Sequence, residues 1–159
     1  MVVVAAGERS HVDADNRSVL RLLSLDELTA HGESVGRALT APALVTLTGE
    51  LGAGKTTLVQ AIARGLGVTA PVTSPTFALI HEYEAPAARV VHCDLYRLES
   101  EREVAALGLD DMLADPHTIV LVEWPDRAGQ LLHAPTLVLT LSHVPDDPAM
   151  RLCSEVWAS

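Results

Sequence analysis

Gly49-Glu50-Leu51-Gly52-Ala53-Gly54-Lys55-Thr56 decides how this chain folds. A glycine, four residues, then Gly-Lys-Thr is the spacing of a loop that cradles phosphate. Gly49, Gly52 and Gly54 let the backbone curl until successive N–H groups point inward at one anion. Lys55 supplies a compact charge for the β- and γ-phosphates, and Thr56 a hydroxyl for Mg²⁺. The pattern needs a buried strand before it and a helix after it. Ala43-Leu44-Val45-Thr46-Leu47-Thr48 is a short apolar run suited to such a strand. Leu58, Ala61, Ile62 and Gly65 recur at i, i+3, i+4, i+7, one face of a helix that Gly65 and Gly67 end.

Working outward, Val19–Leu23 suits a strand. Ser24-Leu25-Asp26-Glu27 has capping-box spacing and predicts a helix to about Leu39. Thr76–Tyr83 and Arg89–Cys93 read as strands. Ser100-Glu101-Arg102-Glu103 is a second capping box, predicting a helix to about Leu107. Thr118–Val122 is the most apolar strand candidate. Pro135–Leu141 and Arg151–Trp157 read as an antiparallel pair across a Pro/Asp turn. This alternation predicts one α/β domain over 17–159, with a central, mostly parallel sheet, helices on both faces and added antiparallel C-terminal strands. Residues 1–16 read as a loose extension.

Composition narrows the function. With 159 residues and 48% hydrophobic residues, one core is expected. A net charge of -10 disfavours direct binding to a nucleic-acid backbone, so any role near RNA would go through a partner. No stretch approaches the roughly 18 apolar residues of a membrane span, and Cys93 and Cys153 have no metal or CxxC spacing. A cytoplasmic protein with reduced thiols is expected. The chain has ten arginines but a single lysine, Lys55, inside the glycine-rich loop. Arginine's planar fork cannot replace an ammonium there.

A phosphate site needs a carboxylate for its metal. Asp94 and Glu123 both end apolar strands, and ligands of open α/β sheets gather at the carboxyl ends of strands. By pattern Glu123 is the better of the two, because more apolar residues precede it. Thr76, in Ser74-Pro75-Thr76-Phe77, suits a switch residue that reaches the γ-phosphate or metal, or a plain turn into a strand. Trp124 offers a ring to a base or a partner, or is a packing residue. Arg97 suits a phosphate contact or a solvated surface position.

Taken together, 49–57, Val72-Thr73-Ser74-Pro75-Thr76-Phe77, His92-Cys93-Asp94-Leu95-Tyr96-Arg97-Leu98 and Val122-Glu123-Trp124-Pro125 resemble the TsaE (YjeE) family, in order from about Leu22 to Leu141. These are bacterial ATPases needed to make threonylcarbamoyladenosine in tRNA. The resemblance implies a compact P-loop domain. It implies that Gly52, Ala53, Gly54, Lys55, Thr56 and Thr57 hold the phosphates of ATP or ADP, with Mg²⁺ on Thr56. Asp94 takes the Walker-B-like position, and Glu123 stands at the metal and the attacking water. Thr76 falls in the switch-like segment, and Trp124 and Leu25 lie near the nucleotide. The implied partners are TsaB- and TsaD-type proteins, which hold the tRNA, while this chain hydrolyses ATP and does not transfer the group itself. A small-molecule kinase is the alternative, although no arginine-rich lid is visible. A GTPase would need a second lysine to read guanine, and a nucleotide-retaining adaptor would release no phosphate.

Overall fold

The structure, a computed structural model, describes residues 10–13 and 18–159. Its strands are β1 (Ser10–Asp13), β2 (Ser18–Ser24), β3 (Ala43–Gly49), β4 (Ile80–Ala85), β5 (Ala88–Asp94), β6 (Thr118–Glu123), β7 (Leu137–Val144) and β8 (Asp147–Trp157). The helices are α1 (Leu25–Ala38), α2 (Lys55–Leu66), α3 (Glu101–Ala105) and α4 (Leu109–Ala114), with a 3₁₀ segment at Pro125–Leu131. All eight strands join one sheet in the order β1-β2-β8-β7-β3-β6-β5-β4. The central four, β7-β3-β6-β5, are parallel, and antiparallel strands extend both edges.

Period-2 alternation divides the core between the two faces. Val45 and Leu47 of β3 and Ile119 and Leu121 of β6 pack beneath α1 and α2 with Leu28, Leu58 and Ile62. Their neighbours Leu44, Val120 and Val122 turn to the other face, toward Val104, Leu109 and Ala128. α1 begins at a full capping box: Ser24 Oγ accepts from Glu27 N at 3.2 Å, and Glu27 Oε2 accepts from Ser24 N at 2.7 Å. Its glycines let it lie against α2. A Cβ on Gly36 would stand 2.2 Å from the Ile62 carbonyl oxygen, and one on Gly65 would stand 2.2 Å from that of Glu33.

The structure corrects four sequence expectations. Ser10–Asp13, inside the segment read as loose, pairs antiparallel with β2; the rest of 1–17 lies outside the described residues. Thr76–Leu79 is a turn, and the strand starts at Ile80, because Pro75 O accepts from Leu79 N at 2.8 Å and Leu79 takes a positive φ of 65°. The second capping-box helix stops at Ala105, and α4 follows the left-handed Gly108 (φ 73°). Finally, antiparallel strands flank both edges of the parallel core, since β4 pairs antiparallel with β5.

Candidate functional site

β3 has parallel neighbours on both sides, β6 and β7, although neither is adjacent to it in sequence. The chain leaves β3 toward one side of the sheet and later returns on the other. A crevice therefore opens at its carboxyl end. Gly49 ends β3 there, and the glycine-rich loop crosses the crevice to α2.

α1 and α3 both carry side-chain caps, whereas α2 has none: its N-cap is Gly54, at φ 106°, with no side-chain hydrogen bond. Its first amides and the positive end of its dipole are thus left to the crevice. Lys55, the first residue of α2, is 5% exposed. Its Nζ donates to the Gly49 carbonyl at 2.7 Å and the Glu50 carbonyl at 2.8 Å, and lies 4.3 Å from the Trp124 ring centroid. Burial pushes the Lys55 ammonium below its ordinary pKa, while the charges of Glu123 and Asp94 pull it back up. An ammonium has three donors, so the two carbonyls leave one for an anion.

Parity brings the carboxylates to the same place. Asp94 and Glu123 are register partners at the ends of β5 and β6, on the face that α2 covers. Thr56 Oγ1 donates to Glu123 Oε1 at 2.9 Å. His92, two residues before Asp94 and on the same side of β5, meets that oxygen too, with Nε2 at 2.8 Å. A carboxylate only accepts, so Nε2 carries the proton. Burial raises the Asp94 carboxyl above its usual range; the Tyr96 amide, donating at 3.0 Å, works against this, and the Glu123 charge adds to it.

Lys55, Thr56, Asp94, Tyr96 and Glu123 line a cleft of about 460 Å³, with His92 buried behind it. Of the residues named from sequence, Gly52, Gly54, Lys55, Thr56, Thr57, Thr76, Asp94, Glu123 and Trp124 line it, as does Arg97. Gly49 and Ala53 do not line it; the Gly49 carbonyl holds Lys55, and Ala53, within the loop, is fully buried. Leu25 is not among the lining residues and stands 47% exposed at the start of α1. Trp124 sits in the left-handed region (φ 57°, ψ 53°), a costly place for a bulky residue, with its N–H on the Leu47 carbonyl at 3.3 Å. Tyr96 packs on its ring with centroids 4.9 Å apart. Thr76 donates to Ser74 Oγ at 3.1 Å within the exposed turn.

Sequence reading missed two contributors. The signal for His92 was its even spacing from Asp94 along β5. Arg151 reaches the loop from β8, donating from Nε to the Ala53 carbonyl at 3.0 Å, and no local pattern announces it. Among the described residues no three His, Cys, Asp or Glu side chains converge on one point. The oxygens present, two carboxylates and a hydroxyl, suit a hard cation that takes most of its ligands from phosphate and water.

Fold and cleft define a single mixed α/β domain with an anion-receptive loop at the switch point of its sheet. The comparisons narrow that class. The family model described as "Threonylcarbamoyl adenosine biosynthesis protein TsaE" matches residues 22–151. A TsaE protein of Nostoc sp. is 43% identical over 117 residues, 72% of this chain and 66% of the relative. One from Synechocystis sp. is 38% identical over 120 residues, 74% of this chain and 76% of the relative. The chain thus spans about two thirds to three quarters of these relatives. The crystal structure of Bacillus subtilis YdiB superposes with a TM-score of 0.75 at 26% identity, covering 91% of this chain and 88% of that one. The chain belongs to the TsaE family, whose work is tRNA threonylcarbamoyladenosine biosynthesis.

Proposed function

We propose that this chain is a P-loop ATPase that uses Mg²⁺ and drives tRNA threonylcarbamoylation through a TsaB–TsaD-type partner complex. The observation that carries this reading is the uncapped N-terminus of α2, with Lys55 in its first turn and the Thr56–Glu123 pair beside it. Free amides and the positive end of the helix dipole make such a terminus receptive to phosphate, and Lys55 adds a charge there. Thr56, Asp94 and Glu123 would hold the cation. When bound, Mg²⁺ neutralises charge on the phosphate oxygens.

The chain's own residues divide the remaining work. The loop amides and Lys55 bind and orient the phosphates. Glu123 spends Oε1 on Thr56 and His92, and Oε2 has no protein partner among the described residues. That oxygen is available to a water aligned for attack on the terminal phosphorus. Thr76 lines the same cleft, with its hydroxyl on Ser74, and acts in this reading as the switch residue for the terminal phosphate. Turnover is slow alone and faster with a partner bound. Trp124 and Tyr96 offer a ring surface beside the loop.

Arg97 is the single arginine lining the cleft among the described residues, which disfavours a kinase with an arginine lid. The net charge of -10 suits a protein whose partners hold the tRNA, and such a role places its work in the cytoplasm. No described helix is long and apolar enough to cross a membrane.

Calorimetry with Mg-ADP and Mg-ATP tests the site: the parent protein binds, and Lys55→Ala loses most of that affinity. Equal binding by Lys55→Ala would sink the assignment. Phosphate release measured with and without a TsaB–TsaD complex tests the coupling, which fails if turnover ignores the partner.

A further inference from the structure

Arg151 sits on β8, paired with Leu23 of β2 and His143 of β7, in the antiparallel wing of the sheet. From there its Nε reaches the Ala53 carbonyl inside the glycine-rich loop at 3.0 Å. Nη1 donates to the carbonyls of Pro148 and Met150 at 2.7 and 2.8 Å. Among the described residues no carboxylate pairs with this guanidinium. Nε and Nη1 are held by backbone carbonyls, and the guanidinium forms no ion pair among the described residues.

The loop has a weakness that this contact answers. Gly54 takes φ 106°, where it has the freedom that makes the curl possible. The same freedom lets the Ala53–Gly54 peptide plane rotate. In a trans peptide the carbonyl of one residue and the N–H of the next point opposite ways. Whatever holds the Ala53 carbonyl therefore aims the Gly54 N–H. Gly54 lines the cleft, and its N–H has no protein acceptor among the described residues.

We propose that Arg151 is a positioning residue for the phosphate site: it latches the Ala53 carbonyl within the loop, turns the Gly54 N–H into the cleft, and adds a positive charge behind it. The inference rests on the reading of the cleft as a nucleotide site. Arg151 does not line the cleft; it acts through one peptide plane. A cation on a carbonyl also polarises the amide it belongs to, so the Gly54 N–H becomes a stronger donor.

Arg151→Ala and Arg151→Lys, each measured for Mg-ADP affinity by calorimetry, for melting temperature, and for the Gly54 amide resonance by NMR, test the latch. Arg151→Ala should weaken Mg-ADP by about tenfold, the size of one lost charge-assisted hydrogen bond, and move the Gly54 amide in the ligand-free protein. Arg151→Lys keeps a charged donor and should recover most of the affinity. The proposal is overturned if Arg151→Ala melts lower yet binds Mg-ADP as tightly as the parent, with the Gly54 amide unmoved. Should Arg151→Ala not fold, Arg151→Lys decides: a Gly54 amide and an affinity far from the parent's, in a protein of parental melting temperature, also overturn it. If the parent takes up no Mg-ADP, the nucleotide reading fails, whereas the Gly54 amide still reports on the latch.

Discussion

Glu155 is 8% exposed between β8 and α1, with Arg21 Nε at 3.6 Å, His31 Nε2 at 3.0 Å and the Trp157 indole N–H against its other oxygen. Burial alone would raise this carboxyl; His31, Trp157 and Arg21 outweigh it and bring the pKa below the usual range. A carboxyl depressed by folding adds stability above its unfolded value, about 4.3, and loses it as pH falls through the lower folded value. Glu155→Gln should therefore flatten the acid limb of a stability–pH curve below about pH 4, read by urea denaturation at stepped pH. The two thiols make a second residue-scale prediction. Burial pushes Cys93 and Cys153 up to about 12, so neither forms thiolate near neutrality. Iodoacetamide should label neither in the native protein and both after unfolding.

Between elements, α1 lies close on α2, where Gly32, Gly36 and Gly65 leave no room for a Cβ. Gly65→Ala drives a methyl into the Glu33 carbonyl and should cost about 1–3 kcal/mol by overpacking, measured as a lower urea midpoint. If stability is unchanged, the two helices are not in the contact described. The elements around the loop were legible in the sequence because each signal is local: an apolar run for β3, 3.6-residue periodicity for α2, capping boxes at Ser24 and Ser100. Asp94 and Glu123 were legible for a similar reason, as carboxylates that stop apolar strands. What stayed hidden depends on distant partners. β1 forms only because β2 is there to pair with it. The turn at Thr76–Leu79 depends on one backbone bond to Pro75. Arg151 meets the loop across 98 residues, through a sheet order that no window of sequence encodes.

At the scale of the molecule, ligand binding and folding are linked, because the loop, the β5 and β6 carboxylates and β8 converge only in the folded sheet. Mg-ADP at a hundred times its Kd should add about 2.7 kcal/mol. For a domain of this size that is a rise of roughly 5–10 °C in melting temperature. Differential scanning fluorimetry reads the shift; its absence at saturating Mg-ADP would contradict the proposed site.

The sheet order has one more consequence, in time rather than in space. β8 is the wedge between β2 and β7, and β2 has no other route into the sheet. As the nascent chain leaves the ribosome, β1 and β2 emerge first yet must wait for the strand made last of the eight. Every motif by which the family is recognised can be synthesised while this wing is still unassembled. The sheet is complete only when β8 joins β2 to β7, after all of those motifs have been made.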